Sequence, residues 1–94
     1  LARDFENSDN PAYLDTLGWV YFKRGDLESS ERVLKRAVER APKSALLQYH
    51  LAKVLMDRGN AQEALAHLET AIASGQRFAG VEDARSMRDR LTQS

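Results

Sequence analysis

The sequence predicts an all-α fold: an antiparallel helical solenoid of two helix pairs, closed by a C-terminal capping helix. The chain lines up with itself when shifted by 34 residues, and such a period marks a repeating structural unit. Within each period, two apolar stripes at helical spacing are parted by a glycine turn. No stretch alternates in the manner of a strand.

The shift places Leu17 on Leu51, Val20 on Val54, Arg24 on Arg58, Gly25 on Gly59, Leu34 on Leu68 and Ala37 on Ala71. Gly18 with Ala52, Ser30 with Ala64 and Val38 with Ile72 are near matches. These are buried-type and turn positions, where a structural unit has to repeat itself.

Taken in order, Asn10 is a good N-cap and Pro11 suits the first helical position. Leu14, Leu17, Gly18 and Tyr21 then form the stripe of a first helix. Arg24-Gly25-Asp26 stops it: glycine supplies a left-handed C-terminal residue and aspartate caps the next start. Leu27, Ser30, Leu34, Ala37, Val38 and Ala41 form the second stripe, which Pro42 ends. Ser44 caps a third helix containing Leu47, Leu51, Ala52 and Leu55, and Gly59-Asn60 repeats the turn. Ala61, Ala64, Leu65, Leu68, Ala71 and Ile72 make the fourth helix, closed by Ser74-Gly75. Small residues at Gly18, Ser30, Ala52 and Ala64 let paired helices approach closely, and Ala37 and Ala71 do so between successive units.

Residues 79–94 hold one further helix and a tail. Val81, Ala84, Met87 and Leu91 give it one apolar stripe, with acids early and arginines late, as the helix dipole prefers. A helix with one polar face suits the end of a stack. Phe78, just ahead, is expected to anchor it. Residues 1–10 read as the tail of a preceding element, with Leu1 and Phe5 as its apolar remnants.

Composition narrows the function. The chain has 94 residues, 43% hydrophobic and 30% charged, with 14 basic residues balancing 14 acidic ones. That suits one globular domain or a piece of a larger protein, and supplies no net field for nucleic acid or an anionic membrane. Without cysteine there is no disulfide framework and no thiolate chemistry. No apolar run approaches a membrane span. No signal peptide is visible, and a chain starting at Leu1 is read as an excised fragment.

Catalytic arrangements are missing from the pattern. The glycines form no phosphate-cradling loop, and there is no HExxH and no nucleophile elbow. His50 and His67 lie on helices of opposite direction and are read as partly buried or surface histidines. Arg32, Lys35, Arg36 and Arg40 cluster on the second helix. Glu28 and Glu31 each stand four residues ahead of a base, which favours a solvated face over an RNA surface. No metal, nucleotide or other cofactor is expected.

The 34-residue period, with Leu17-Gly18, Tyr21, Gly25, Leu34, Ala37 and Pro42 in its first unit, resembles the tetratricopeptide repeat (TPR). The resemblance covers unit 1, residues 11–44, and unit 2, residues 45–78. Leu14 stands where the family often has tryptophan, and Ser30 replaces its usual alanine. In unit 2, Gln48 replaces the first large apolar residue, Ala52 the glycine and Gln76 the terminal proline. The resemblance implies a right-handed solenoid and a non-catalytic protein-interaction scaffold.

In the family, a second face of each first helix lines a concave groove that receives peptides. The matching residues here are Ala12, Asp15, Trp19, Phe22 and Lys23, then Leu46, Tyr49, Lys53, Met56 and Asp57. Trp19 and Phe22 are open to two readings, a groove wall or packing against a neighbouring helix. Asp15 and Trp19 stand at two places where carboxylate-clamping relatives use lysine and asparagine, so a partner with an apolar or aromatic segment is expected. The segment from Leu14 to Val20, with Tyr49-His50-Leu51, also resembles bacterial envelope TPR proteins, many of them lipoproteins of exopolysaccharide production or export. A periplasmic or envelope location is the corresponding expectation. The rival expectations are a docking segment of a larger enzyme, such as a glycosyltransferase, and a self-assembly module.

Overall fold

The computed structural model describes residues 10–93. The expected remnant of a preceding element lies outside them, apart from Asn10. Five helices follow one another among the described residues: α1 (Pro11–Lys23), α2 (Leu27–Arg40), α3 (Ala45–Asp57), α4 (Ala61–Ala73) and α5 (Val81–Thr92). α1 packs on α2, α3 on α2 and α4, and α5 on α4. This is the all-α stack of two helix–turn–helix units with a trailing helix that the period predicts.

The turns follow from local chemistry. Asn10 accepts a bond from Ala12 N at 2.9 Å, and Asp26 accepts one from Ser29 N at 3.2 Å, each satisfying an orphan donor at a helix start. Hydrogen bonding from Ser29, its side chain first and its backbone amide second, holds the Asp26 carboxyl below its ordinary range. Between the paired helices, Gly25 and Gly59 adopt φ of 81° and 85°, the left-handed region open to glycine. The following amides reach back over the helix end, Asp26 N to Tyr21 O at 3.0 Å and Asn60 N to Leu55 O at 2.9 Å. Both units thus end their first helix with the same C-terminal motif.

The paired helices touch at the small residues. A Cβ at Gly18 would meet Leu34 Cγ at 2.6 Å, so glycine there is a steric requirement. Ser30 is fully buried, and its hydroxyl donates to the Gly18 carbonyl at 2.7 Å. The residue that departs from the family alanine is therefore satisfied within the contact. One cluster joins Leu14, Leu17, Val33, Ala37 and Leu47, crossing from unit 1 into unit 2. A second joins Leu34, Leu51, Leu55, Leu68, Ala84 and Met87, running on into α5.

The two glutamines of unit 2 also have structural work. Gln48 donates to Pro42 O at 2.9 Å, while its Oε1 lies 2.6 Å from His67 Nδ1. Gln76 accepts from Ala45 N at 3.0 Å and donates to Lys43 O at 2.7 Å. The segment after α4 thereby clasps the connection between the units and supplies an acceptor for the first turn of α3.

Candidate functional site

α1 and α3 lie side by side, each spending one face on its paired helix. What remains is a shared face, built from Asp15, Trp19 and Phe22 of α1 and Tyr49, His50 and Lys53 of α3. The Trp19 ring stacks on Phe22 at 4.8 Å between centroids and on His50 at 4.5 Å. His50 Nδ1 lies 2.6 Å from Asp15 Oδ1. An aromatic platform is thus held across two helices, with a histidine–carboxylate pair fixing its edge.

The adjoining part of the face meets the α5 segment. Tyr49 is only 6% exposed, its ring 5.6 Å from that of Phe78. Its hydroxyl donates to Asp83 Oδ2 at 2.6 Å, and Lys53 Nζ lies 3.2 Å from the same oxygen. The Tyr49 bond lowers the Asp83 pKa, and Lys53 adds to this against partial burial. Burial and the Asp83 bond raise the Tyr49 pKa. Burial opposes the charge on Lys53, but the Asp83 bond and neighbouring negative charge outweigh it and hold its pKa above the ordinary value. Gly80 (φ 98°) caps α5, and a Cβ there would run into the Tyr49 ring. Phe78 is the anchor the sequence suggests, and Gly80 is required by close approach as well as by its turn.

Of the predicted groove residues, the structure brings Asp15, Trp19 and Phe22 together beside α3. Tyr49 and Lys53 meet α5. Leu46, Met56 and Phe22 are half-buried and pack against the larger core cluster. Ala12, Lys23 and Asp57 are exposed. His50 was not among the predicted groove residues, yet it joins Trp19 to Asp15. A scan near the repeat period would have found it: parallel first helices bring together residues about one period apart, as in Asp15–His50 and Tyr49–Asp83.

The basic cluster of α2 is partly neutralised. Lys35 Nζ lies 2.9 Å from Glu31 and 3.3 Å from Glu63, and Glu31 also meets Arg58 at 3.3 Å. The Glu31 bond raises the Lys35 pKa. No group of three or more His, Cys, Asp or Glu able to hold a metal occurs among the described residues. No helix among them is long and apolar enough to cross a membrane.

The tetratricopeptide-repeat family profile matches residues 16–79, spanning both helix pairs. The chain belongs to the tetratricopeptide-repeat family. A TPR repeat-containing protein of Pseudomonas aeruginosa is 44% identical over 36 residues, 38% of this chain and 6% of the relative. The match therefore spans a small part of that longer protein. Its description names the repeat, and neither an envelope nor an exopolysaccharide role. Membership fits the observed geometry: the glycine turns, the Gly18–Leu34 contact and the two-helix unit are what this repeat is built from. A TPR fold of this kind mediates protein–protein interaction.

Proposed function

We propose that the chain is a non-catalytic interaction module that binds an apolar or aromatic segment of a partner protein on the concave face shared by α1 and α3. The observation that carries the reading is the Trp19 platform, stacked on Phe22 and His50 and only part-buried. Tryptophan and tyrosine concentrate binding energy because they bury large area at low entropic cost. Asp15 and its His50 partner edge the platform, and Lys53 stands on the same helix beside Tyr49 and Asp83. A bound segment therefore presents an apolar side chain to the rings and polar backbone to these groups. Asp15 disfavours a carboxylate placed beside it.

Trp19 is the only tryptophan in the chain, so its emission reports directly on this face. Peptides selected from a random library against the protein are expected to carry aromatic or large aliphatic residues and to shift Trp19 fluorescence. Trp19→Ala should weaken them by about 2 kcal/mol or more while leaving a cooperative melt. A loss of roughly 3–5 kcal/mol of stability, with peptides still bound elsewhere, would assign Trp19 to packing and sink the proposal.

A further inference from the structure

Several bases of the chain are held by carboxylates: Lys35 and Arg58 by Glu31, Lys53 by Asp83 and Arg88 by Asp89. Arg77 and Arg85 are exposed and have no such partner among the described residues. Glu82, also exposed on α5, pairs with neither. The two arginines flank one cavity. The end of α4, the connection after it and the first turns of α5 enclose about 380 Å³, lined by Ile72, Gly75, Gln76, Arg77, Val81 and Arg85. Ile72 and Val81 are half-buried and give the cavity an aliphatic floor. The Gln76 amide is already engaged with Ala45 N and Lys43 O. No carboxylate lines the cavity. Its offer to a ligand is therefore two guanidiniums beside an aliphatic surface. Asp83 turns towards Tyr49 and Lys53. Val81 and Arg85 each stand two residues from Asp83, roughly 200° around a helix, which sets the cavity on the opposite flank of α5.

We infer that this cavity binds an acidic segment of a partner protein, in which a carboxylate neighbours a large aliphatic side chain. Charge complementarity selects the occupant. A guanidinium bonds a carboxylate through parallel N–H donors, and an anion between two like charges relieves their repulsion. The aliphatic neighbour displaces water from Ile72 and Val81. A bare inorganic anion would leave that floor wet, and a neutral apolar peptide would leave both guanidiniums without a partner. This site lies away from the Trp19 platform, so its test can fail without touching the proposed function.

The probe is the peptide acetyl-Leu-Glu-Leu-amide, titrated into isotope-labelled protein and followed by nuclear magnetic resonance. The Nε–H signals of Arg77 and Arg85 are expected to shift together along one saturable curve, while Trp19 emission stays fixed. Arg85→Gln should weaken the peptide by about tenfold, since a charge-assisted bond is lost, and should leave the melting temperature nearly unchanged. Replacing the peptide's glutamate with glutamine should weaken it to a similar extent. Arg90→Gln should leave the binding curve unchanged. Equal binding of the glutamine peptide, or equal binding by Arg85→Gln, would overturn the inference. So would inorganic phosphate binding as tightly as the glutamate peptide, because the aliphatic floor would then contribute nothing. Shifts that never saturate, or a response of Trp19 in place of the two arginines, would overturn it as well.

Discussion

The two ends of the stack differ in a way that the repeat makes measurable. At the C-terminal end, α5 lies on α4 and turns Glu82, Arg85, Ser86, Asp89 and Arg90 to solvent. Phe78, Gly80 and Asp83 fasten its start to Tyr49 and Lys53. At the other end, α1 carries exposed Tyr13 and Val20 at positions that are buried one period later. A solenoid needs a polar surface wherever stacking stops. Among the described residues, α5 presents a polar outer face, whereas α1 exposes two large apolar residues at positions that are buried in α3.

The sharpest way to break this comparison is to place the same change at both equivalents. Val54→Lys should unfold the protein or cost more than about 4 kcal/mol, because an ammonium would be buried without a partner. Val20→Lys should stay within about 0.5 kcal/mol of wild type. Denaturant melts read both, and similar losses would mean that α1 is already covered.

Gly80→Val comes next. The left-handed φ and the collision with Tyr49 together should cost about 2–4 kcal/mol, with α5 losing its amide protection first in hydrogen exchange. Gly25→Ala shares the positive φ but meets nothing within 4 Å, so it should cost only about 1–2 kcal/mol. Equal losses would remove Tyr49 from the explanation.

A smaller effect is expected at Asp83. Its folded pKa is lowered, so its contribution is present above the unfolded carboxyl value, about 4, and is lost as pH falls through the folded value. Lys53 and Tyr49 have raised values, so their contributions hold below about pH 10 and are lost at higher pH. Asp83→Asn should cost about 1 kcal/mol at neutral pH and flatten the acid limb of the stability profile. An unchanged acid limb would assign it to other carboxyls. At the opposite helix pair, Ser30→Ala should cost at most about 1 kcal/mol, since unit 2 carries alanine at that position.

Much of this was legible in the sequence. The period located both helix pairs, their glycine turns, the small residues at Gly18 and Ser30, and the cap after Phe78. These repeat because packing constrains each position in the same way twice. The polar departures were harder to interpret. Gln48 and Gln76 look like weakened family positions when read one at a time, yet each joins backbone groups distant in sequence. Such bonds depend on side-chain reach between units, which residue type alone does not specify. The face of α1 and α3 was legible as a line of residues. That His50 would complete the Trp19 stack, and that Tyr49 would be covered from α5, required the offset between neighbouring helices.

The most direct measurement of the difference between the ends uses the absence of cysteine from the chain. Val20→Cys and Val54→Cys each introduce a single thiol at one repeat position, and their rates of alkylation under native conditions compare the two ends. The account predicts that the thiol at 20 reacts close to the rate of an unfolded control, while the one at 54 is slower by on the order of 100-fold or more, opening only with the fold. Equal protection at the two positions would contradict it.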